Sequence, residues 1–375
     1  MKKLLKIALV ALLALTMVAC GNGGNNGGNG GNTGTKVPKI VVLLPFTGDN
    51  SYFDTVQRGV NKAKEQFAGQ AEITLIEVGN TTEKATWDAA FDEYCEDGEY
   101  DLVISGNNSY EAFLFDAATR YPNQKFMNFD FSSLPEGMDK VPSNVYCVQY
   151  ALDDLGYVIG TLSGKLTKTG TVGVVVGLDI QAMDQFIGGY CQVLKDLGVK
   201  YIVRYVNAKS TSPFQDPQAG YEITQDLIKE GADVIWQVAG GTGNGVIQAC
   251  AEHENVWAVG VDQDQYEQFK NSQPDWAKSI VTSALKNSDE VVVGVTKMVI
   301  DGTLDAKLGQ TEAWGIALNG VGLAENEYYK EVVSADIQKA IADTLAEVTA
   351  GNVQVVDTLE MSVAEWQAWH DANTK

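Results

Sequence analysis

The residues whose spacing most clearly suggests chemistry are the glycines of QVAGGTGNG, residues 237–245. They separate an apolar run from a helical pattern, which is the context of loops that bind phosphates through backbone N–H groups. Asp262 ends the next apolar run, where a dinucleotide site would place an acid for a ribose hydroxyl. A nucleotide-dependent enzyme is therefore one interpretation of this loop.

Other features of the chain weigh against catalysis. The glycines at 240, 241, 243 and 245 do not form GxGxxG, and no GK[ST] follows them. His253 and His370 are the only histidines, which leaves little material for a transition-metal site or a histidine-based triad. A tight turn remains open, but we favour a loop whose backbone contacts an uncharged ligand. We expect no catalytic residue, no metal and no cofactor.

The N-terminus has the layout of a secretory signal. Three lysines precede an apolar run at 7–15 that is too short to span a membrane. The small residue before Cys20 resembles the lipobox of bacterial lipoproteins, which implies cleavage after residue 19 and a lipid on Cys20. An ordinary signal peptide with an incidental cysteine is the alternative. Residues 20–37 would then be an anchored cysteine and a Gly/Asn-rich tether on the extracytoplasmic face of the cell membrane.

Charge and cysteine content exclude or leave open other properties. A formal net charge of -22 argues against a nucleic acid as partner, because phosphate binding requires Lys and Arg. Cys95, Cys147, Cys191 and Cys250 are far apart and form no CxxC, so a disulfide among them is possible but cannot be assigned.

Strand and helix patterns alternate along the body of the chain. Apolar runs typical of buried parallel strands cover 39–46, 73–78, 101–106, 125–131, 145–150, 172–177, 201–206, 233–238, 257–262, 280–285 and 314–318. Helical patterns cover 52–67, 84–97, 109–120, 152–166, 181–197, 217–230, 244–253, 288–301 and 334–349. Two successive series of this kind predict an α/β protein with two doubly wound parallel sheets. Ligands bind beyond the carboxyl ends of such strands, so we expect a cleft between two domains.

The segments around the glycine loop also carry a resemblance. DVIWQVAGGTGNGVIQAC, WAVGVDQDQ and IVTSALKN, in this order, resemble the basic membrane protein family of bacterial lipoproteins, the purine-nucleoside-receptor type of solute-binding protein for ABC importers. Similarity extends from about Lys39 to about Val355. Further matches are GDNSYFDTVQRG, RYPNQKFMNFD, GLDIQAMDQFIGGY and NGVGL.

The resemblance implies a type I periplasmic binding protein with a multi-stranded hinge. The expected domains are 38–151 plus about 284–318 and 152–283 plus about 319–358, with 359–375 as a C-terminal tail. It also implies a monomer that captures a nucleoside of the purine class and delivers it to an ABC permease and ATPase. The alternatives are the same fold with a sugar or another small polar solute, and an exported NAD-dependent enzyme.

Candidate ligand residues follow from the family pattern D-x-S-F-N. Asp49 and Ser51 match it, Tyr52 holds the aromatic position that stacks on the base, and Phe53 replaces Asn. Asp54 is a candidate to take over the contact of the missing Asn. Either aromatic residue could instead pack against the following helix as a hydrophobic staple.

The remaining candidates lie near strand ends or in helices. Asp130 could accept hydrogen bonds from a purine or could cap a turn, and Phe186 could face Tyr52 or belong to the core. Asp262 could accept from ribose hydroxyls, with Lys286 neutralising it, or the two could form a structural ion pair. The expected ligand set is Asp49, Tyr52, Phe53, Asp54, Asn108, Asp130, Phe186, Gly240, Gly241, Asp262 and Lys286. Asn107, Asn108 and Ser109 could add polar contacts, and Asn108 or Ser109 could equally serve as a helix N-cap.

Overall fold

The computed structural model describes residues 36–107, 109–210 and 212–375. The predicted signal peptide, Cys20 and the tether up to residue 35 lie outside the described residues, as does Asn108. No helix within the described ranges combines the length and the apolar character needed to span a bilayer.

The first sheet contains six parallel strands in the order β11-β5-β4-β3-β1-β2. Its strands are β1 (Lys39–Leu44), β2 (Glu72–Glu77), β3 (Leu102–Gly106), β4 (Phe126–Phe129), β5 (Val145–Tyr150) and β11 (Gln310–Trp314). The inner strands are buried along almost their whole length, because helices cover both faces of the sheet. Continuous apolar runs such as IVVLL in β1 are the sequence consequence of this burial.

The second sheet repeats the arrangement in the order β12-β10-β9-β8-β6-β7. Its strands are β6 (Thr171–Val176), β7 (Lys200–Tyr205), β8 (Val234–Val238), β9 (Trp257–Asp262), β10 (Ile280–Lys286) and β12 (Val321–Leu323). All pairs are parallel except that of β12 with β10, which is antiparallel. The predicted pair of doubly wound sheets is therefore confirmed.

Helices connect the strands and cover both sheets. They are α1 (Tyr52–Gln66), α2 (Lys84–Cys95), α3 (Glu111–Arg120), α4 (Leu152–Leu166), α5 (Gln181–Asp196), α6 (Pro217–Lys229), α7 (Gly243–Ala251), α8 (Gln265–Phe269), α9 (Pro274–Ser279), α10 (Ser288–Asp301), α11 (Glu327–Val332), α12 (Ala335–Thr349) and α13 (Val363–Thr374). We call the first sheet with its helices lobe 1 and the second sheet with its helices lobe 2.

The chain passes between the lobes three times. It leaves the first sheet after Tyr150, returns to lobe 1 after Lys286, and leaves again after Trp314. The strand predicted at 314–318 is wrong, because β11 already ends at Trp314 and residues 316–318 form a 3-10 turn. Gly320 N–H donates to the carbonyl of Gly315, which closes this crossing as a loop.

The four cysteines beyond Cys20 are buried free thiols. Burial raises the pKa of Cys95, Cys147 and Cys191 to about 12 in each case. Such thiols behave as small apolar side chains and not as nucleophiles.

Candidate functional site

A cavity of about 360 Å³ lies between the lobes at the carboxyl ends of the strands of both sheets. Lobe 1 contributes the residues that follow β1, β3 and β4, and lobe 2 those at the ends of β8, β9 and β10. The polar and glycine residues at these strand ends are Asp49, Asn107, Asp130, Gly240, Asp262 and Lys286. The topology thus brings together residues that are more than 200 positions apart in the chain.

Three of these residues other than glycine have a left-handed backbone. The φ angles of Asn107, Asp130 and Asp262 are 94°, 62° and 66°. Asn and Asp tolerate this region better than other side chains, but each such position still costs about 1–3 kcal/mol. Sharp turns directly after β3, β4 and β9 therefore fix where these three side chains enter the cleft.

Asp262 is a buried carboxylate that joins the two lobes. The residue is 6% exposed, and its Oδ2 accepts a hydrogen bond from the hydroxyl of Ser51 in lobe 1. Burial raises the pKa of Asp262 to about 6, while the charge of Lys286 and the Ser51 hydroxyl oppose this rise. Within the described ranges, its other carboxylate oxygen, Oδ1, accepts no such side-chain hydrogen bond.

Lys286 pairs with Asp130 and not, as the sequence suggested, directly with Asp262. Its Nζ lies 2.5 Å from Oδ1 of Asp130, and the residue is only 4% exposed. β10 is the strand after which the chain crosses to lobe 1, so its last residue meets a strand end of that lobe. The ammonium also lies 4.7 Å from the ring centroid of Tyr52 and 5.5 Å from that of Phe186, within cation–π range.

The predicted aromatic residues all line the cleft. Tyr52 and Phe186 approach each other around the ammonium of Lys286, and Phe186 also packs edge-on against Trp236 with centroids 6.0 Å apart. Phe53 packs edge-on against Phe46, which also lines the cleft, at 4.9 Å. The cleft therefore has flat apolar walls beside its charged residues.

Asp49 and Asp54 mainly hold the loop that begins α1. The carboxylate of Asp49 accepts from the backbone N–H groups of Ser51, Phe53 and Asp54 at 3.0–3.1 Å. Asp54 accepts from two further N–H groups, those of residues 48 and 50. Asp49 still lines the cleft, whereas Asp54 lies outside its lining.

The glycine loop forms a 3-10 turn at Gly240–Thr242 before α7. Gly240 lines the cleft with a φ of 54°, which glycine adopts without strain. Gly241 lies behind it, where an added Cβ would approach the backbone oxygens of Phe214 and Asp49. Among the described residues of the lining, Lys286 is the one basic side chain. The loop therefore offers a phosphate only backbone N–H groups, without a basic side chain beside them.

Sequence reasoning missed the loop after β7. Phe214 lines the cleft and covers Gly177, where a Cβ would come within 2.2 Å of its ring. Gln215 beside it accepts a 2.9 Å hydrogen bond from the amide of Asn80, which links the lobes at the cleft mouth. The signal in the sequence is an aromatic residue between two prolines, Pro213 and Pro217, eight positions after the predicted strand at 201–206.

Polar residues after β3 both form hydrogen bonds at the start of α3 and line the cleft. The Oδ1 of Asn107 accepts from the N–H of Ser109 at 2.9 Å, and both residues line the cavity. The carbonyl of Asn107 accepts from the N–H groups at the start of α3.

Comparison with known proteins decides the family. A sequence model of the ABC transporter substrate-binding proteins described as PnrA-like matches residues 38–354. The chain belongs to this family. The match spans both lobes and every strand end that lines the cleft.

Individual relatives and structures agree with this family. The chain is 26% identical over 288 residues to Basic membrane protein D of Borreliella burgdorferi, covering 75% of this chain and 78% of the relative. It is 26% identical over 269 residues to the ABC transporter nucleoside-binding protein BmpA of Lactococcus lactis, covering 68% and 71%. An ABC transporter solute-binding protein from Aeropyrum pernix shares the fold, with a TM-score of 0.70 at 20% identity over 89% of this chain and 96% of that one.

Proposed function

We propose that this protein captures a nucleoside, of the purine class, in the cleft between its lobes and performs no chemistry on it. The observation that carries the proposal is the buried carboxylate of Asp262 beside aromatic walls, in a cleft where Lys286, the one basic side chain among the described lining residues, is already paired with Asp130. A ligand that suits this site is neutral, carries hydroxyl groups at one end and has a flat ring at the other.

The ribose would be bound at the ends of β9 and β10. Asp262 can accept from ribose hydroxyls through Oδ1, since Ser51 occupies Oδ2. Lys286 can donate to the same sugar without leaving Asp130. Hydrogen bonds to buried charged groups contribute about 1.5–3 kcal/mol each, enough to select a hydroxylated ligand.

The base would be bound by the aromatic residues that line the cleft. Tyr52 and Phe186 are the expected pair, and Phe53 and Phe214 add further apolar surface on opposite lobes. Ring stacking adds about 0.5–1.5 kcal/mol beyond the area that a base buries. Asp130 is the acceptor available for a purine N–H or amino group.

The remaining parts of the proposal concern location and partners. The lipobox-like sequence before Cys20 supports a lipid-anchored protein on the outer face of the cell membrane. Family membership supports delivery to an ABC permease with its ATPase. We propose a monomer that does not bind nucleic acid, as its net charge of -22 favours.

Calorimetry with adenosine, guanosine, inosine and uridine tests the proposal. We expect purine nucleosides to release or absorb heat with a 1:1 stoichiometry and to raise the midpoint of thermal unfolding. No heat and no thermal shift with any of the four would refute the nucleoside assignment. Binding of NADH, followed by its fluorescence, would favour an exported enzyme instead.

A sugar is the second candidate, because a carboxylate beside aromatic rings also suits sugars. The variant Asp130→Asn separates the two candidates. If the protein binds a purine nucleoside, the variant loses an acceptor for the base. If it binds a sugar, the variant keeps the main contacts. Asn is preferable to Ala because its side-chain oxygen can still accept from Lys286, whose charge would otherwise be buried without a partner. Unchanged affinity for the natural solute in this variant would favour the sugar.

A further inference from the structure

The last part of the chain packs against α5, a helix that contributes residues to the cleft. The family match ends at residue 354, and residues 355–374 run along the outer side of α5. Val356 N–H donates to Gln192 at 2.8 Å, and the amide of Gln181 donates to the carbonyls of Thr358 and Met361. The segment therefore contacts α5 at both its first and its last turns.

Close packing accompanies these hydrogen bonds. A Cβ added at Gly188 would lie 2.2 Å from the carbonyl oxygen of Val356, and one at Gly189 would lie 2.7 Å from the side chain of Val355. Glycine at position 188 lets the backbone of the segment lie directly on the helix, whereas Gly189 is approached first by the carbonyl oxygen of Asp153 in α4, at 2.4 Å, and next by Val355. The contact is thus built into α5 as well as into the segment.

The strongest contact is a buried carboxylate. Asp184, in the first turn of α5, is 0% exposed. It accepts from the hydroxyl of Tyr205 at 2.5 Å and from the indole N–H of Trp366 at 2.8 Å, and Nδ1 of His370 lies 2.8 Å from its Oδ2. Two of these three groups come from α13, at positions i and i+4 on one face of that helix. A buried carboxylate is stable only while such partners surround it.

The same turn of α5 carries cleft residues on its other side. Phe186 is two positions after Asp184, about 200° around the helix, and lines the cleft with Met183. We propose that residues 355–374 form a clasp that positions the first turn of α5 for ligand capture. In this clasp Trp366 and His370 are positioning residues that act on Phe186 through Asp184. The proposal rests on the proposed function, because it assumes that the cleft is the ligand site.

The variant Trp366→Phe in the full chain tests the clasp, since it removes the N–H donor and keeps an aromatic ring. Trp369→Phe is the matched control, the same substitution on the same helix without the bond to Asp184. In the ligand-free protein we expect amide hydrogen exchange at 181–187 to rise roughly ten-fold in Trp366→Phe and to stay unchanged in the control. Affinity for adenosine and inosine should fall roughly three- to ten-fold in Trp366→Phe alone.

Two further comparisons separate positioning from general stability. In an Asp184→Asn background, Trp366→Phe should change the affinity less, because a neutral amide oxygen gains less from the donor than a buried charge does. His370→Asn, which keeps a donor near the Nδ1 position, should bind adenosine and inosine with higher affinity than His370→Leu. This pair also tests the clasp if Trp366→Phe fails to fold.

The outcomes distinguish the two proposals. Equal affinity and equal exchange in Trp366→Phe and Trp369→Phe would overturn the clasp, even if nucleosides bind tightly. If the unaltered protein binds no nucleoside, the proposed function fails, and the clasp is judged by the exchange at 181–187 alone.

Discussion

The carboxylate of Asp262 is buried where water is largely excluded, so its ionisation depends on the neighbouring groups. The Ser51 hydroxyl and the charge of Lys286 favour the charged form, whereas burial disfavours it and raises the pKa to about 6. A buried charge with an unused acceptor is costly for the ligand-free protein. Ligand hydroxyls would supply the missing hydrogen bonds and offset this free-energy cost. The site would therefore favour hydroxylated ligands.

The variant Asp262→Asn should separate binding from stability. We expect nucleoside affinity to fall by about 2–4 kcal/mol, roughly 30- to 700-fold, because charge-assisted hydrogen bonds are lost. The free energy of unfolding of the ligand-free protein at pH 7.5 should not fall, because a carboxyl whose pKa is raised by folding stabilises only when protonated. Calorimetry and thermal unfolding measure the two quantities. Parallel losses in both would show that Asp262 is structural.

The affinity should also depend on pH in one direction. As the pH falls from 7.5 through about 6 to 5, Asp262 gains a proton and loses the charge that ribose hydroxyls require. Affinity should therefore decrease below pH 6, and the stability contribution of Asp262 should increase over the same range. Titrations at pH 7.5, 6.5 and 5.5 give the profile. The Asp262→Asn variant, as the control, should show a flat profile.

At the scale of elements, the sheets could be predicted because burial on both faces forces continuous apolar runs. Residues 40–44 of β1 are all buried, and the run in the sequence reports this directly. Short elements gave no such signal: α8 has five residues and β12 has three, too few for a period to appear. The helix at Val363–Thr374 was missed because its contacts are with distant residues such as Asp184.

Only those parts of the site that lie at strand ends or match the family resemblance could be predicted from the sequence. Asp130, Asp262 and Lys286 lie in the cleft because parallel strands end on one edge. Their pairing was not predictable, since whether Lys286 meets Asp130 or Asp262 depends on the crossing after β10. Phe214 has no periodic context, and its place over Gly177 follows from the path of the loop.

The end of β6 offers a test of how that loop shapes the cleft. In Gly177→Ala the new Cβ would lie 2.2 Å from the ring of Phe214, which lines the cleft, so the ring must shift. We expect nucleoside affinity to fall roughly ten-fold or more, with a loss of stability of about 1–3 kcal/mol from overpacking. Gly322→Ala in β12 is the matched control, since nothing lies within 4 Å of its added Cβ. Unchanged affinity in Gly177→Ala would remove Phe214 from the site.

At the scale of the molecule, hydrogen bonds cross between the lobes on more than one side of the cleft. Ser51 binds Asp262 next to the crossings, and Arg58 donates to Gln263 at 2.8 Å. The amide of Asn80 reaches Gln215 from the opposite lobe at the mouth. The lobes therefore meet around the cavity, and a ligand must fit both. Hinge closure around a ligand is the motion that such an arrangement allows.

The last prediction concerns nucleotides and follows from the charges that line the cleft. Asp49, Asp130 and Asp262 line the cavity, and Lys286, the one cation in the described part of its lining, is already paired with Asp130. A phosphate about 6 Å from a carboxylate at an effective dielectric constant of about 20 is repelled by roughly 3 kcal/mol per charge. We therefore expect inosine 5′-monophosphate to bind at least about 100-fold more weakly than inosine. Calorimetry with both ligands measures the ratio.

A neutral analogue separates charge from size in this comparison. 5′-Deoxyinosine lacks the hydroxyl to which the phosphate is attached, so it tests how much that position contributes without charge. We expect its affinity to lie within about ten-fold of that of inosine, the loss of one ordinary hydrogen bond. In Asp262→Asn the nucleoside and the monophosphate should differ less, because one repelling charge has gone. A monophosphate that binds the unaltered protein as tightly as the nucleoside would restore a phosphate site at QVAGGTGNG.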